Sequence, residues 1–121
     1  MTARLRKKAC ININFDSLFF PLPDAARSLR DPSYFEIADR FFAASERYGF
    51  RYTIFIIGRD LENPEVAARV RAWADAGHEI GNHTWSHHPN FGALPRFRVE
   101  DEILRSHEII GRTTGKPPRG F

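Results

Sequence analysis

The sequence predicts an α/β fold, built from successive strand–helix units around a parallel sheet or barrel. Three observations carry that expectation. Tyr52–Ile57 (Y-T-I-F-I-I) is β-branched, aromatic and apolar almost throughout, the pattern of a parallel strand covered on both faces. Segments of helical period, each closed by a glycine, separate this run from shorter strand-like stretches on either side. The resulting order is strand, helix, strand, helix, strand, helix, the signature of repeated βαβ units. In such folds the ligand site lies at the C-terminal ends of the strands.

The first strand is read from Ala9–Phe15 (A-C-I-N-I-N-F), which alternates apolar with polar after Cys10 and leaves Asp16 at its C-terminal end. Ser17 to Pro32 holds three prolines and no clear period, so it reads as a long loop of a length that is often functional. Ser33 opens an S-x-x-E capping box with Glu36. Phe35, Ala38, Phe41, Phe42 and Ser45 then line one helical face as far as Tyr48, with Gly49 as the stop. Asn63 as N-cap and Pro64 at the first helical position begin a second helix, with Val66, Val70, Trp73 and Ala74 inward and Gly77 at its end.

His78–Thr84 is expected to form a short third strand, followed by a loop from Trp85 to about Arg98. Val99–Thr113 is expected as a third helix, with Glu100, Asp101 and Glu102 in its first turn, where negative charge complements the helix dipole. Its inward stripe is read as Val99, Ile103, His107 and Ile110. Gly115 stops it, and Lys116–Phe121 approaches a fourth strand.

With 121 residues, 42% apolar and 13% aromatic, the chain has the composition of a single globular domain. Arg4, Arg6, Lys7 and Lys8 near the start are not followed by an apolar run long enough for a secretory signal. No membrane-spanning segment is evident, and a cytoplasmic location is expected. Cys10, the only cysteine, lies in an apolar run; it excludes an intrachain disulfide and is expected to be a buried, inert thiol. The net charge of +3 is not read as a nucleic-acid surface, because beyond the N-terminal cluster the basic residues are interleaved with acids. Arg69, Arg71 and Asp75, or Glu102, Arg105 and Glu108, read as solvated faces.

The chemistry concentrates in His83-Thr84-Trp85-Ser86-His87. Two imidazoles four residues apart share a face if the segment turns helically after its strand. Zinc takes nitrogen ligands at about 2.0 to 2.1 Å, and a catalytic zinc site commonly has three protein ligands and an open position. Two histidines with one carboxylate meet that need. The spacing alone is a weak signal, because two histidines that simply cap or cover a strand end share it.

The surrounding residues narrow the reading. The run from Gly77 to His87, G-H-E-I-G-N-H-T-W-S-H, closely resembles the second motif of the polysaccharide deacetylase family, carbohydrate esterase family four. Asn14-Phe15-Asp16-Ser17 resembles the first motif, Ile54-Phe55-Ile56-Ile57-Gly58 the second strand, and Gly115-Lys116-Pro117-Pro118 the approach to the third motif. The resemblance implies a partial (β/α) barrel, about the first half of the family's distorted barrel. It implies a metal-dependent hydrolase of carbon–nitrogen bonds other than peptide bonds, deacetylating N-acetylated sugars or polysaccharide, or acting on a related small amide. It implies a divalent metal, zinc with cobalt or nickel as alternatives, held by His83 and His87.

Asp16 admits two roles, because the first motif normally has two aspartates. Read as T-F-D-D, Asp16 is the catalytic base and Ser17 stands at the ligand position. Read as D-x-D, Asp16 is the ligand and Asn14 replaces the base; this reading is preferred because it keeps one Asp and two His on the metal. Asp24 and Asp31 are alternative bases. His88 reads as a loop neighbour of the site, His107 as a helix residue packed beneath the sheet, and His78 as structural. Trp85, Phe91 and the Phe19-Phe20 pair read as loop packing, with a platform for sugar rings as the alternative.

The family's later motifs fall beyond Phe121, and an eight-stranded barrel takes about 250 residues. Residues 1–121 are therefore expected to be one domain truncated at its C-terminal end, with weak or no activity of its own. A catalytically dead relative that keeps a metal or carbohydrate site is the alternative. An open half-barrel exposes strand edges and apolar helix faces, so a homo-oligomer is expected.

Overall fold

Three parallel strands carry the architecture: β1 (Ile11–Phe15), β2 (Tyr52–Ile56) and β3 (Glu79–Asn82), hydrogen-bonded in the order β1-β2-β3. The computed structural model describes residues 8–16 and 32–121. The side chain of Ser33 and the residues Phe19, Phe20, Asp24 and Asp31 lie outside what it describes. Between the strands run α1 (Pro32–Tyr48), a short 3₁₀ segment (Gly58–Glu62) and α2 (Pro64–Asp75); a 3₁₀ turn (Phe91–Ala93) and α3 (Arg96–Thr114) follow β3. This is the α/β arrangement read from the sequence.

The pleat divides the sheet into two faces. Tyr52, Ile54, Ile56 and Ile80 turn toward the helices, where they meet Ala38 of α1, Val66, Val70 and Trp73 of α2 and Ile110 of α3. Ile54 and Ile56 are wholly buried, each contributing about 1.5 to 3 kcal/mol. Phe42 of α1 stacks on Trp73 at 4.3 Å, and Phe15 meets the same indole edge-on at 4.9 Å. Arg69 of α2 pairs with Asp39 of α1 and lies over the Phe35 ring at 4.5 Å. The other sheet face carries Asn14, Phe55 and Gly81 in one row.

Local signals placed most element ends. Asn63 accepts a hydrogen bond from the Glu65 N–H at 3.0 Å and caps α2. Gly49, Gly77 and Gly115 all have positive φ at the expected stops. Gly58 serves a different purpose: a Cβ there would come within 2.8 Å of the Ser106 Cα, so its absence lets α3 lie directly on the 3₁₀ segment.

Four expectations are corrected. Cys10 is exposed rather than buried: among the described residues the strand it precedes has a neighbour on one side only, and its Sγ lies 4.0 Å from Thr53 Oγ1. Phe41 is 43% exposed, since Ala38, Phe42 and Ser45 suffice to define the buried face of α1. Helix α3 begins at Arg96, after Pro95, so Glu100, Asp101 and Glu102 fall beyond its first turn. Its buried stripe is Glu102, Ser106, Ile110 and Thr113, and His107 is exposed. The helix is turned so that small and polar side chains meet Gly58 and the loop after β3.

His78 is buried, as a structural residue should be, and its Nδ1 accepts the Tyr52 N–H at 3.0 Å, joining the starts of β2 and β3. Burial lowers its pKa below the ordinary 6.5, and Arg51 lowers it further against the opposing pull of Glu46. The folded state therefore resists protonating His78 while the unfolded state does not. Stability is expected to fall as pH drops below about 6.5, by at most about 1.4 kcal/mol per pH unit for this one proton. Urea unfolding between pH 5 and 8 measures the slope. His78→Asn, whose Oδ1 replaces the acceptor, is expected to make it shallower; an unchanged slope would assign the effect to other groups.

Candidate metal centre

The site follows from strand register. Phe15 is level with Ile56, and Ile56 with Asn82, so the next residues, Asp16, Ile57 and His83, form one row across the C-terminal edge of the sheet. Strands of a sheet lie about 4.8 Å apart, which leaves Asp16 and His83 two strands apart with Ile57 between them. Their side chains converge over that middle strand. Asp16 Oδ1 stands 3.7 Å from His83 Nε2, and Asp16 Oδ2 stands 3.7 Å from His87 Nε2. These separations are too long for hydrogen bonds. One ligand atom from each of Asp16, His83 and His87 lies within 4.8 Å of the others.

The two histidines meet without the helical turn expected from their spacing. Thr84 and His87 adopt left-handed backbone, with φ of 65° and 53°, which is uncommon for histidine and a true outlier for a β-branched residue. Strain of that kind costs about 1 to 3 kcal/mol per residue and must be held. The Thr84 N–H donates to Asn82 Oδ1 at 2.9 Å, and the His87 N–H donates to Thr84 Oγ1 at 3.0 Å. Asn82 Nδ2 is in turn tied to the Ile103 carbonyl of α3 at 2.9 Å. The Gly58 and Arg59 N–H groups continue the β2 ladder to Thr84 and Trp85.

Glu102 is the residue beside the site that sequence reasoning missed. Read as part of a solvated face, it is only 4% exposed, and it accepts from the Ser86 N–H at 2.8 Å and the Ser86 hydroxyl at 2.7 Å. A possible signal was the i, i+4, i+8 spacing of Glu102, Ser106 and Ile110, which no hydrophobicity rule selects.

Beside the ligand set opens a cavity of about 390 Å³ lined by Asn14, Phe55, Asn82, His83, Thr84, His87, His88, Phe91 and Phe121. Phe55 forms its floor because Gly81 has no side chain: a Cβ on Gly81 would sit 2.6 Å from the ring. Phe91 lines the cavity 6.0 Å from Phe121. Trp85 is not in this cavity; Arg105 covers its ring at 4.1 Å. His88 is a loop neighbour whose Nδ1 accepts the Asn90 N–H. The Asn82 N–H donates to Gly120 at 2.9 Å, so the chain end does come alongside β3.

Burial lowers the pKa of His83 below 6.5; the nearby Asp16 opposes the shift and His87 adds to it. The shift favours neutral His83, the form in which imidazole ligates a metal. Its Nε2 is buried and makes no hydrogen bond among the described residues. An unsatisfied buried nitrogen facing a carboxylate and a second imidazole fits a divalent cation.

Residues 6–121 match the polysaccharide deacetylase family. A peptidoglycan-N-acetylglucosamine deacetylase of Bacillus cereus is 28% identical over 97 residues, 79% of this chain and 34% of that protein. The chain thus spans about a third of that relative's length. An acetyl xylan esterase of family 4 from Clostridium thermocellum, in complex with a cobalt ion, superposes with a TM-score of 0.66 at 21% identity, covering 91% of this chain and 45% of that one. A mutant, with restored enzymatic activity, of a Bacillus anthracis CE4 family pseudoenzyme superposes at 0.63 and 25% identity, over 69% of this chain and 30% of that one.

Gly81→Ala is expected to displace the Phe55 ring and to destabilise the fold by about 1 to 3 kcal/mol, as overpacking does. Thermal unfolding tests it. Adding Phe55→Leu should restore part of the loss; no coupling between the two substitutions would refute the contact.

Proposed function

Because this chain belongs to the polysaccharide deacetylase family, we propose that it carries a metal-dependent amide-hydrolysing site acting on N-acetylated sugars or polysaccharide, with Asp16, His83 and His87 as metal ligands. The observation that carries this reading is the facing of both Asp16 oxygens toward the two Nε2 atoms at 3.7 Å. It favours Asp16 as ligand over Asp16 as base. Zinc suits the donor set, with cobalt or nickel as alternatives. A cation held by Asp16, His83 and His87 would supply Lewis-acid polarisation of an amide carbonyl and a water of lowered pKa. In the overall reaction the acetyl C–N bond breaks, the hydroxyl of water passes to the acetyl carbon, and protons pass to the amine. The open cavity beside the ligands, floored by Phe55, accommodates the acetylated substrate.

A second reading, a catalytically dead relative that retains metal or carbohydrate binding, is favoured by one specific residue. Asn14 lies two positions before Asp16 on the same strand face, where the family's first motif supplies a carboxylate. A neutral amide cannot take a proton from water. Among the described residues lining the cavity there is no acid. The two readings share the metal site and differ in turnover.

Titration with zinc or cobalt is expected to give saturable binding to the parent and none to the double variant His83→Ala, His87→Ala. Equal binding by both would reject the site. Acetate release from chitooligosaccharides or acetylated xylan is expected to be weak or absent for the parent. Asn14→Asp is expected to raise it, by up to the factor of about 10² to 10⁴ that a general base supplies. Robust turnover by the parent that Asn14→Asp leaves unchanged would place the base elsewhere.

A further inference from the structure

We propose that Glu102 is a positioning residue for the His83–His87 pair, its carboxylate reaching from α3 to fix the turn that carries both imidazoles. The proposal rests on reading these histidines as metal ligands, and extends that reading to a residue outside the ligand set. Three observations support it.

The first is where support for the turn changes hands. His83 N–H bonds to the Ile56 carbonyl, and the Thr84 and Trp85 carbonyls accept from Gly58 and Arg59, so the β2 side holds the turn through Trp85. At Ser86 the bonds to that side give way to Glu102. Its two oxygens take the Ser86 N–H and hydroxyl at 2.8 and 2.7 Å, immediately before His87 with its left-handed backbone. The second is distance: both contacts are in the short range of charge-assisted hydrogen bonds. The third is cost. A carboxylate that is 4% exposed on a helix otherwise buried through Ser106, Ile110 and Thr113 is expensive to desolvate, and an apolar residue of similar size would commonly serve the helix as well. The acid makes sense through what it holds. Groups that orient metal ligands typically change metal affinity by about 10- to 100-fold when removed.

The test compares the parent chain with Glu102→Met, Glu102→Gln and Glu102→Asp in two measurements. Amide hydrogen exchange of the metal-free protein reports the turn itself, and cobalt titration followed by visible absorption reports the ligand set. Glu102→Met is expected to keep the parent's circular dichroism while Ser86 and His87 exchange about 10- to 100-fold faster, as loss of a hydrogen bond to a charged group allows, and while cobalt binds about 10- to 100-fold more weakly. Glu102→Gln should stay close to the parent, because a turned amide accepts the Ser86 N–H and donates to its hydroxyl. If Glu102→Met does not fold, Glu102→Asp, one methylene too short but equally charged, is expected to give the same local loosening.

Unchanged exchange at Ser86 and His87 in the Met or Asp variant overturns the proposal. So does a uniform acceleration across the sheet, the mark of a merely structural staple. Failure of the parent to bind cobalt would reject the metal site, while the exchange data would still decide whether Glu102 holds the turn.

Discussion

Everything at the site depends on one constraint, the register of three parallel strands. In a parallel sheet, residues level with one another present their side chains to the same face. Phe15, Ile56 and Asn82 are level, so a carboxylate and an imidazole that follow β1 and β3 by one residue emerge together. A slip of one residue in either pairing would send one of them to the helix side. The buried face enforces the register. Ile54 and Ile56 of β2 and Ile80 of β3 fill the space under α1, α2 and α3, and a one-residue slip would turn a strand's apolar set away from it.

Register brings Asp16 and His83 near one another, but His87 arrives by a different route. It belongs to a turn with two left-handed residues, one of them the β-branched Thr84. That turn is unfavourable taken alone, and a network of side chains offsets the strain: Asn82 from below, Thr84 across its own loop, and Glu102 from α3. The rotation of α3 is therefore a property of the site as much as of the core. Ser106 resting on Gly58 brings the helix close enough for Glu102 to reach Ser86. Such local cost sustained by surrounding structure is the usual condition of a functional loop.

The same economy governs the electrostatics. Burial lowers the pKa of His83, with Asp16 opposing and His87 reinforcing the shift, and so favours its uncharged form. Gly81 plays the steric counterpart, since the space it leaves is filled by the Phe55 ring and the cavity acquires an apolar floor beside its polar edge. Asn14 breaks the pattern: it places a neutral amide in the cavity lining beside His83 and His87, where an acid could have accepted a proton.

Much of this was legible in the sequence. The apolar run of β2, the Asn63-Pro64 start, the three glycine stops and the His83–His87 spacing are local signals, each set by backbone geometry within a few residues. They determined the strand and helix order, the strand ends that carry the site and the residues that meet there. Other features depend on which elements become neighbours. Cys10 is exposed where β1, among the described residues, has a partner on one side, and Trp85 turns to Arg105 of α3 rather than to the cavity. The rotation of α3, which exposes His107 and buries Glu102, is set by contact with Gly58 and the loop after β3. Periodicity locates an apolar stripe on a helix; it does not mark an acid whose burial is compensated by hydrogen bonds from another segment. The tertiary structure decided that, because those hydrogen bonds exist only once β3 and α3 have been brought together.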